Sequence, residues 1–225
     1  MIRFCSLYSG SSGNAVFLAA GKTKILIDAG LSGKKITEAL VSIGEKPSEL
    51  SAILVSHEHS DHIRGAGIIS RKYDVPIYAN ENTWAAMENL IGPVNAKNKM
   101  YFNTGREFEI GNVLVNPFPI PHDAAEPVGF NFFVGNNKIT TATDIGHMNN
   151  KLLECIEGSD LLLIESNHDI EMLMVGPYPW HLKKRILGDR GHLSNEMAGK
   201  VVAHLAQKGT KCFLLGHLSK ENNFP

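Results

Sequence analysis

The sequence predicts an α/β fold in which two sheets carry helices packed outside them, within one domain over residues 1–225. Three observations predict it. The 225 residues are 43% hydrophobic, enough apolar material for the core of a domain of roughly 200 residues. Apolar runs of strand length recur about eleven times along the chain. Helix-like stretches fall between those runs instead of collecting at one end.

In chain order, strand-like runs open with IRFCSLY (2–8), AVFLAA (15–20) and KILIDA (24–29), followed by a helical stretch at 33–43. AILVS (52–56) leads to a helix at 62–72, and PIYA (76–79) to a helix at 81–90. EFEI (107–110) and VLVNPFPI (113–120) flank the turn signal Gly111-Asn112. VGFNFFV (128–134) and KITTAT (138–143) flank Gly135-Asn136-Asn137. A helix at 149–157, the strand DLLLIES (160–166), a helix at 195–207 with Ser194 as its N-cap, and the strand CFLLG (212–216) complete the pattern. No internal repeat or low-complexity linker interrupts it.

Composition narrows the function classes. With 22 Lys plus Arg against 23 Asp plus Glu, no field of one sign covers the surface, so a nucleic-acid partner needs a local basic patch or a metal. Cys5, Cys155 and Cys212 are odd in number and scattered, which favours a reducing compartment and makes the cytoplasm the expectation. MIRFCSLYSG lacks the apolar core of an export signal, and no later window has about eighteen unbroken apolar residues, so no membrane partner is expected.

Residues 56–62 read SHEHSDH, three imidazoles and two carboxylates directly after an apolar strand. In an extended segment His57 and His59 leave the same face, while Asp61 and His62 fall where the next helix begins. Imidazole and carboxylate are the ligands of zinc and other borderline divalent metals. Without a cation, imidazoles held together repel whenever they are protonated. His122, Asp144 and His217 repeat the arrangement at later strand ends. Seven such side chains exceed one tetrahedral zinc but suit two metals sharing a bridging carboxylate.

The HxHxDH run, the later His, Asp and His, and the strand pattern resemble the metallo-β-lactamase superfamily. That resemblance implies a four-layer αββα sandwich. It implies that His57, His59 and His122 hold one metal, that Asp61, His62 and His217 hold the other, and that Asp144 bridges them. The metals would be zinc in the first place, with manganese or iron as alternatives. Asp28 matches a supporting, non-ligating position and reads equally well as a turn residue. Penicillin-hydrolysing members of the best-known kind have Cys where this chain has Asp144, which argues against that activity. Glyoxalase II-like proteins, which cleave thioesters, share the ligand set but continue into a helical domain, whereas eight residues follow His217 here.

Glu165 and His192 are similar to the paired Glu and His of RNase Z-like phosphodiesterases, in which the histidine protonates the leaving oxygen. A helix-entry role for His192 is the alternative. Taken together, SGSSGNA, DAGLSGKKI, SHEHSDHIRG, PHDAAEPVGF, ESNHD, GPYPWHLKKRI, GHLSNEMAG and LGHLSKENN look like the YycJ/WalJ group of bacterial exonuclease-like metallohydrolases. The resemblance implies a dinuclear DNA exonuclease acting 5′ to 3′, with Asp61 and His192 as catalytic residues and Glu165 as partner of His192. It also implies a C-terminal tail beyond Pro225. A thioester or small cyclic phosphodiester hydrolase is the second reading, and a metal-dependent redox or binding module the third. Ser11, Ser12 and Asn14 read as a phosphate-binding loop or a plain hairpin. Lys183, Lys184 and Arg185 read as a phosphate-contacting patch or a solvated helix face, and Tyr178 and Trp180 as base-stacking or simple packing residues. His147, His168, His181 and His204 receive no role.

Overall fold

The computed structural model describes residues 1–224, which form twelve strands and eight α-helices. The strands are β1 (Ile2–Tyr8), β2 (Ala15–Ala20), β3 (Thr23–Ile27), β4 (Ala52–Leu54), β5 (Ile77–Ala79), β6 (Lys99–Tyr101), β7 (Phe108–Ile110), β8 (Val113–Pro119), β9 (Val128–Val134), β10 (Asn137–Ala142), β11 (Leu161–Glu165) and β12 (Cys212–Gly216). The helices are α1 (Gly33–Ser42), α2 (Ser60–Ile63), α3 (Ala66–Tyr73), α4 (Glu81–Ile91), α5 (Asn150–Ile156), α6 (Ile170–Val175), α7 (Trp180–Leu187) and α8 (Asn195–Gln207). The α/β class expected from the sequence holds, with two six-stranded mixed sheets in the orders β1-β2-β3-β4-β5-β6 and β12-β11-β10-β9-β8-β7. The described chain divides into two compact units, residues 1–116 with 124–126, and residues 117–123 with 127–224.

In the first unit β1, β2 and β3 pair antiparallel, and β3 to β6 run parallel. All six residues of β2 are buried, as expected of a strand covered on both faces. Phe17, Leu26, Ile53 and Ile77 of the sheet pack with Ile36 and Leu40 of α1, Ile69 of α3, and Trp84 and Met87 of α4. The helix expected at 62–72 is broken. Gly65 donates its N–H to Ala29 O at 2.7 Å, so the turn is tied to the loop after β3 and α2 stops before α3 begins. β6 escaped the sequence reading because three residues, Lys-Met-Tyr, carry too little periodicity.

In the second unit β10, β11 and β12 run parallel, and β9 pairs antiparallel with β10. Leu152 and Ile156 of α5, with Ala198, Val201 and Leu205 of α8, pack on Ala142, Leu162 and Ile164. Ser194 caps α8, accepting the N–H of Met197. Helix α6 was not anticipated, and α7 only as one reading of its basic run, because Gly176, Pro177 and Pro179 break the apolar period between them. Among the described residues no helix is long and apolar enough to cross a membrane.

Two glycines mark opposite ends of substitution tolerance. A Cβ on Gly30 would lie 1.5 Å from Asp61 O, whereas a Cβ on the exposed, helical Gly199 meets nothing within 4 Å. Gly30→Ala is expected to lower the denaturant midpoint severely. Gly199→Ala is expected to raise stability by about 0.5–1 kcal/mol, as removal of an exposed mid-helix glycine does. Urea titrations of the two variants beside the parent check both signs.

Candidate metal centre

The first unit arranges its histidines around a buried carboxylate. Parallel pairing sets Ile27 of β3 beside Leu54 of β4, so Asp28 emerges next to the start of SHEHSDH. Asp28 takes a left-handed conformation, φ 58°. Its Oδ1 accepts the N–H of Ser56 at 2.8 Å, and its Oδ2 accepts Ser56 Oγ–H and His62 Nδ1–H, both at 2.8 Å. With its proton on Asp28, Ser56 Oγ accepts from His57 Nδ1 at 3.0 Å. The rings of His57 and His59 have centroids 4.6 Å apart, and those of His57 and His62 4.1 Å. His59 is the N-cap residue of α2, which carries Asp61 and His62.

Asn14 holds the other side of this group. Its N–H donates to Asp61 O at 2.8 Å, and its Nδ2 lies 3.4 Å from Asp61 Oδ2 and 3.0 Å from His62 Nε2. Its Oδ1 accepts the N–H of Gly10 at 3.0 Å. This corrects one expectation. Asn14 is buried and committed to Asp61 and His62, so of the suggested phosphate loop only Ser11 and Ser12 are exposed.

The second unit repeats the device. Because β10, β11 and β12 are parallel and in register, their C-terminal ends bring Asp144, Glu165 and His217 together. One potential ligand atom from each of Asp144, Glu165, His192 and His217 lies within 4.8 Å of the others. Glu165, completely buried, accepts four hydrogen bonds. Its Oε1 takes His192 Nδ1 at 2.8 Å and His217 Nδ1 at 2.7 Å, and its Oε2 takes the N–H of Ile145 at 2.7 Å and of Leu193 at 3.0 Å. Burial alone would raise the Glu165 pKa, but the charges and hydrogen bonds of His192 and His217 hold it at about 2. Burial likewise opposes the charged form of His192, and Glu165 outweighs it, so the imidazole pKa is raised. His122 bonds through Nδ1 to Gly191 O at 3.0 Å, and burial lowers its pKa.

These bonds test whether the residues suit a metal. In His57, His62, His122 and His217 the network puts the proton on Nδ1 and the lone pair on Nε2, the state of a ligating imidazole whose other N–H is held by a carboxylate, hydroxyl or carbonyl. Asp144 Oδ1 lies 3.7 Å from His122 Nε2 and 3.4 Å from His217 Nε2. The donor set fits divalent metal ions. The four oxygen-directed bonds on Glu165 suit it to holding ligands in place instead of ligating.

The basic run is not one patch. Lys183 is buried, and its Nζ donates to Met174 O at 2.7 Å and Gly176 O at 2.8 Å, closing the end of α6. The expectation that it contacts phosphate is therefore corrected. Arg185 Nε donates to Asp123 Oδ2 at 2.5 Å, and exposed Lys184 lies 5.6 Å over the Trp180 ring. Sequence reasoning missed Ser56 and Asn167. Asn167 donates to His217 O at 2.8 Å, and its place in ESNHD, two residues after Glu165, was the available signal.

A model of the beta-lactamase superfamily domain matches residues 23–217. The chain is 46% identical over 223 residues to the exodeoxyribonuclease WalJ of Streptococcus pneumoniae serotype 2, covering 98% of this chain and 83% of that protein. It is also 46% identical over 223 residues to the exodeoxyribonuclease YycJ of Bacillus anthracis, covering 99% and 84%. Among solved structures, zinc-bound PqqB from Methylobacterium extorquens superposes with a TM-score of 0.74 at 16% identity, covering 99% of this chain and 90% of that one. That likeness is one of fold.

The bonds on Glu165 fix a pH signature in metal-free protein. A carboxylate held at about 2 against an ordinary 4.5 stabilises the fold above 4.5 and loses that contribution as the pH falls through the interval between them. Its full size is on the order of 3 kcal/mol. The raised imidazole of His192 contributes below its ordinary 6.5 and loses its contribution as the pH climbs through its folded value. Glu165→Gln is expected to flatten both limbs of a plot of unfolding free energy against pH. Two unchanged limbs in that variant would show that other groups govern the profile.

Proposed function

The chain belongs to the beta-lactamase superfamily, and from that premise we propose that it is a metal-dependent exodeoxyribonuclease, working in the cytoplasm and degrading DNA 5′ to 3′. The observation that carries this reading is the Glu165–His192 pair, an imidazole held by a buried carboxylate, on a chain so similar to two exodeoxyribonucleases. In the proposed ligand set His57, His59 and His122 would hold one divalent ion, Asp61, His62 and His217 would hold the other, and Asp144 would serve both. Zinc is the ion favoured by this imidazole-rich set. Bound divalent ions supply Lewis acidity toward a phosphoryl group and make water a competent nucleophile near neutral pH.

The residues of the chain do the remainder. Asp61 orients the attacking water. As the bond from phosphorus to the sugar oxygen breaks, that oxygen becomes a strongly basic alkoxide, and His192 delivers a proton to it. Glu165 bonds His192 through Nδ1, which leaves Nε2 as the nitrogen that donates, and its charge, working against burial, favours the imidazolium. Asp28 and Glu165 each orient imidazoles that belong to the ligand set. Exposed Lys184, Ser11 and Ser12 remain as contacts for the phosphate backbone.

Two tests follow. His57→Ala and Asp144→Ala are expected to abolish cleavage of end-labelled duplex DNA and to reduce bound metal measured by elemental analysis. Full activity with unchanged metal in either variant would sink the ligand assignment. His192→Ala is expected to keep its metal but lose roughly 10²- to 10⁴-fold in rate on DNA, the range of general acid catalysis. On bis-p-nitrophenyl phosphate, whose phenolate needs little protonation, the loss should be much smaller. Equal losses on the two substrates would count against His192 as the acid.

A further inference from the structure

A cavity of about 280 Å³ opens in the second unit beside His192, lined also by His147, His168, Ile170, Leu187 and Met197. Its volume lies just below the roughly 300–1,000 Å³ of small-molecule sites, a space for one nucleoside and not for a duplex. Two kinds of group line it. Ile170, Leu187 and Met197 are apolar yet 39%, 42% and 39% exposed, so they form an open apolar rim. His168 is the opposite case: it is 1% exposed, and neither of its ring nitrogens has a hydrogen-bond partner.

A buried imidazole with both nitrogens unpaired carries a desolvation cost of about 1–3 kcal/mol per group unless a ligand supplies the partner. Burial also lowers the His168 pKa, so the ring is neutral and offers one donor and one acceptor. His147 adds an acceptor, since its Nδ1–H is given to Asp189 O at 2.8 Å and its lone pair is on Nε2. No Lys or Arg lines the cavity, and its one carboxylate, that of Asp189, would repel a phosphate. The chemistry is that of a neutral, flat, hydrogen-bonding ring. A nucleobase has apolar faces and a donor and acceptor edge.

The shared wall, His192, gives this cavity its place in the reaction. Resting on the exodeoxyribonuclease reading above, we propose that the cavity binds the base of the nucleotide on the leaving-group side of the scissile bond. Ile170, Leu187 and Met197 lie against the base faces and His168 bonds its edge. Seating that base holds the departing sugar oxygen within reach of His192. His168 is thus a substrate-positioning residue, chemically distinct from the proton donor.

The test uses the full chain loaded with zinc or manganese and two end-labelled DNA substrates. One is intact, and the other carries an abasic residue on the leaving-group side of the first scissile bond. The parent is expected to prefer the intact substrate in kcat/KM by at least about 5-fold, the ratio that roughly 1 kcal/mol of apolar base burial gives. His168→Leu and the rim variant Leu187→Ala are each expected to bring that ratio toward one. Leu187 is exposed enough that its truncation keeps the fold. A second readout needs no turnover: titrating thymidine into metal-free chain should shift the His168 ring protons saturably in NMR, and 2-deoxyribose should not. A ratio near one in the parent, with DNA still cleaved, overturns this inference and leaves the nuclease reading standing. A high ratio unchanged in both variants overturns the assignment to this cavity. A fully metallated parent that cleaves neither DNA overturns both readings.

Discussion

The carboxylate of Glu165 accepts four hydrogen bonds without touching solvent, and much of the second unit is arranged to supply them. Burying an ionised carboxylate is costly unless its lone pairs are satisfied, so the strand end that carries it must be met by donors from elsewhere. Those donors are the backbone of Ile145 and Leu193 and the rings of His192 and His217. Each bond that satisfies the carboxylate also fixes a piece of the centre. Ile145 follows Asp144 directly, Leu193 follows His192 directly, and His217 has its ring turned so that Nε2 carries the lone pair. A single acid therefore sets the loop after β10, the approach to α8 and the end of β12.

Asp28 does the same work in the first unit with a shorter reach, through Ser56 and His62. The two acids differ in what they leave behind. Asp28 sits in a left-handed conformation, as do Asp144, φ 60°, and His217, φ 53°. A non-glycine residue held there costs energy that surrounding structure must offset, and such residues concentrate where side chains have to be aimed. Of four positive-φ non-glycine residues among those described, three are the candidates that follow β3, β10 and β12 directly or by one residue, and the fourth, Asp74, ends α3. The strain is found where each chain segment must turn sharply off a strand to present a carboxylate or an imidazole.

Legibility in the sequence followed sequence separation. SHEHSDH was readable because its candidate ligands are neighbours and a strand-to-helix boundary decides where they point. His122, Asp144 and His217 were readable because each follows a strong apolar run. The fourfold saturation of Glu165 was not, since its partners lie 20 to 52 residues away and only parallel register brings them in. Lys183 was misread for a related reason. A lysine in a basic run looks solvated, but the run lies on α7, and one helical face turns this ammonium onto the carbonyls that end α6. The helix expected at 62–72 failed because apolar periodicity continues through Gly65 while its N–H is spent on Ala29.

The same reasoning separates the two histidines closest to Glu165 in function. His192 and His217 bond one carboxylate oxygen through the same ring atom, yet His192 is partly exposed and His217 is 1% exposed. A ligand must keep its lone pair and is best shut away from water, whereas a proton donor must exchange its proton with solvent after every turnover. Burial supports the roles proposed for the two histidines, which hydrogen bonding alone leaves equal. The cavity that opens beside His192 suits the same reading, since a donor has to meet a group that arrives from outside.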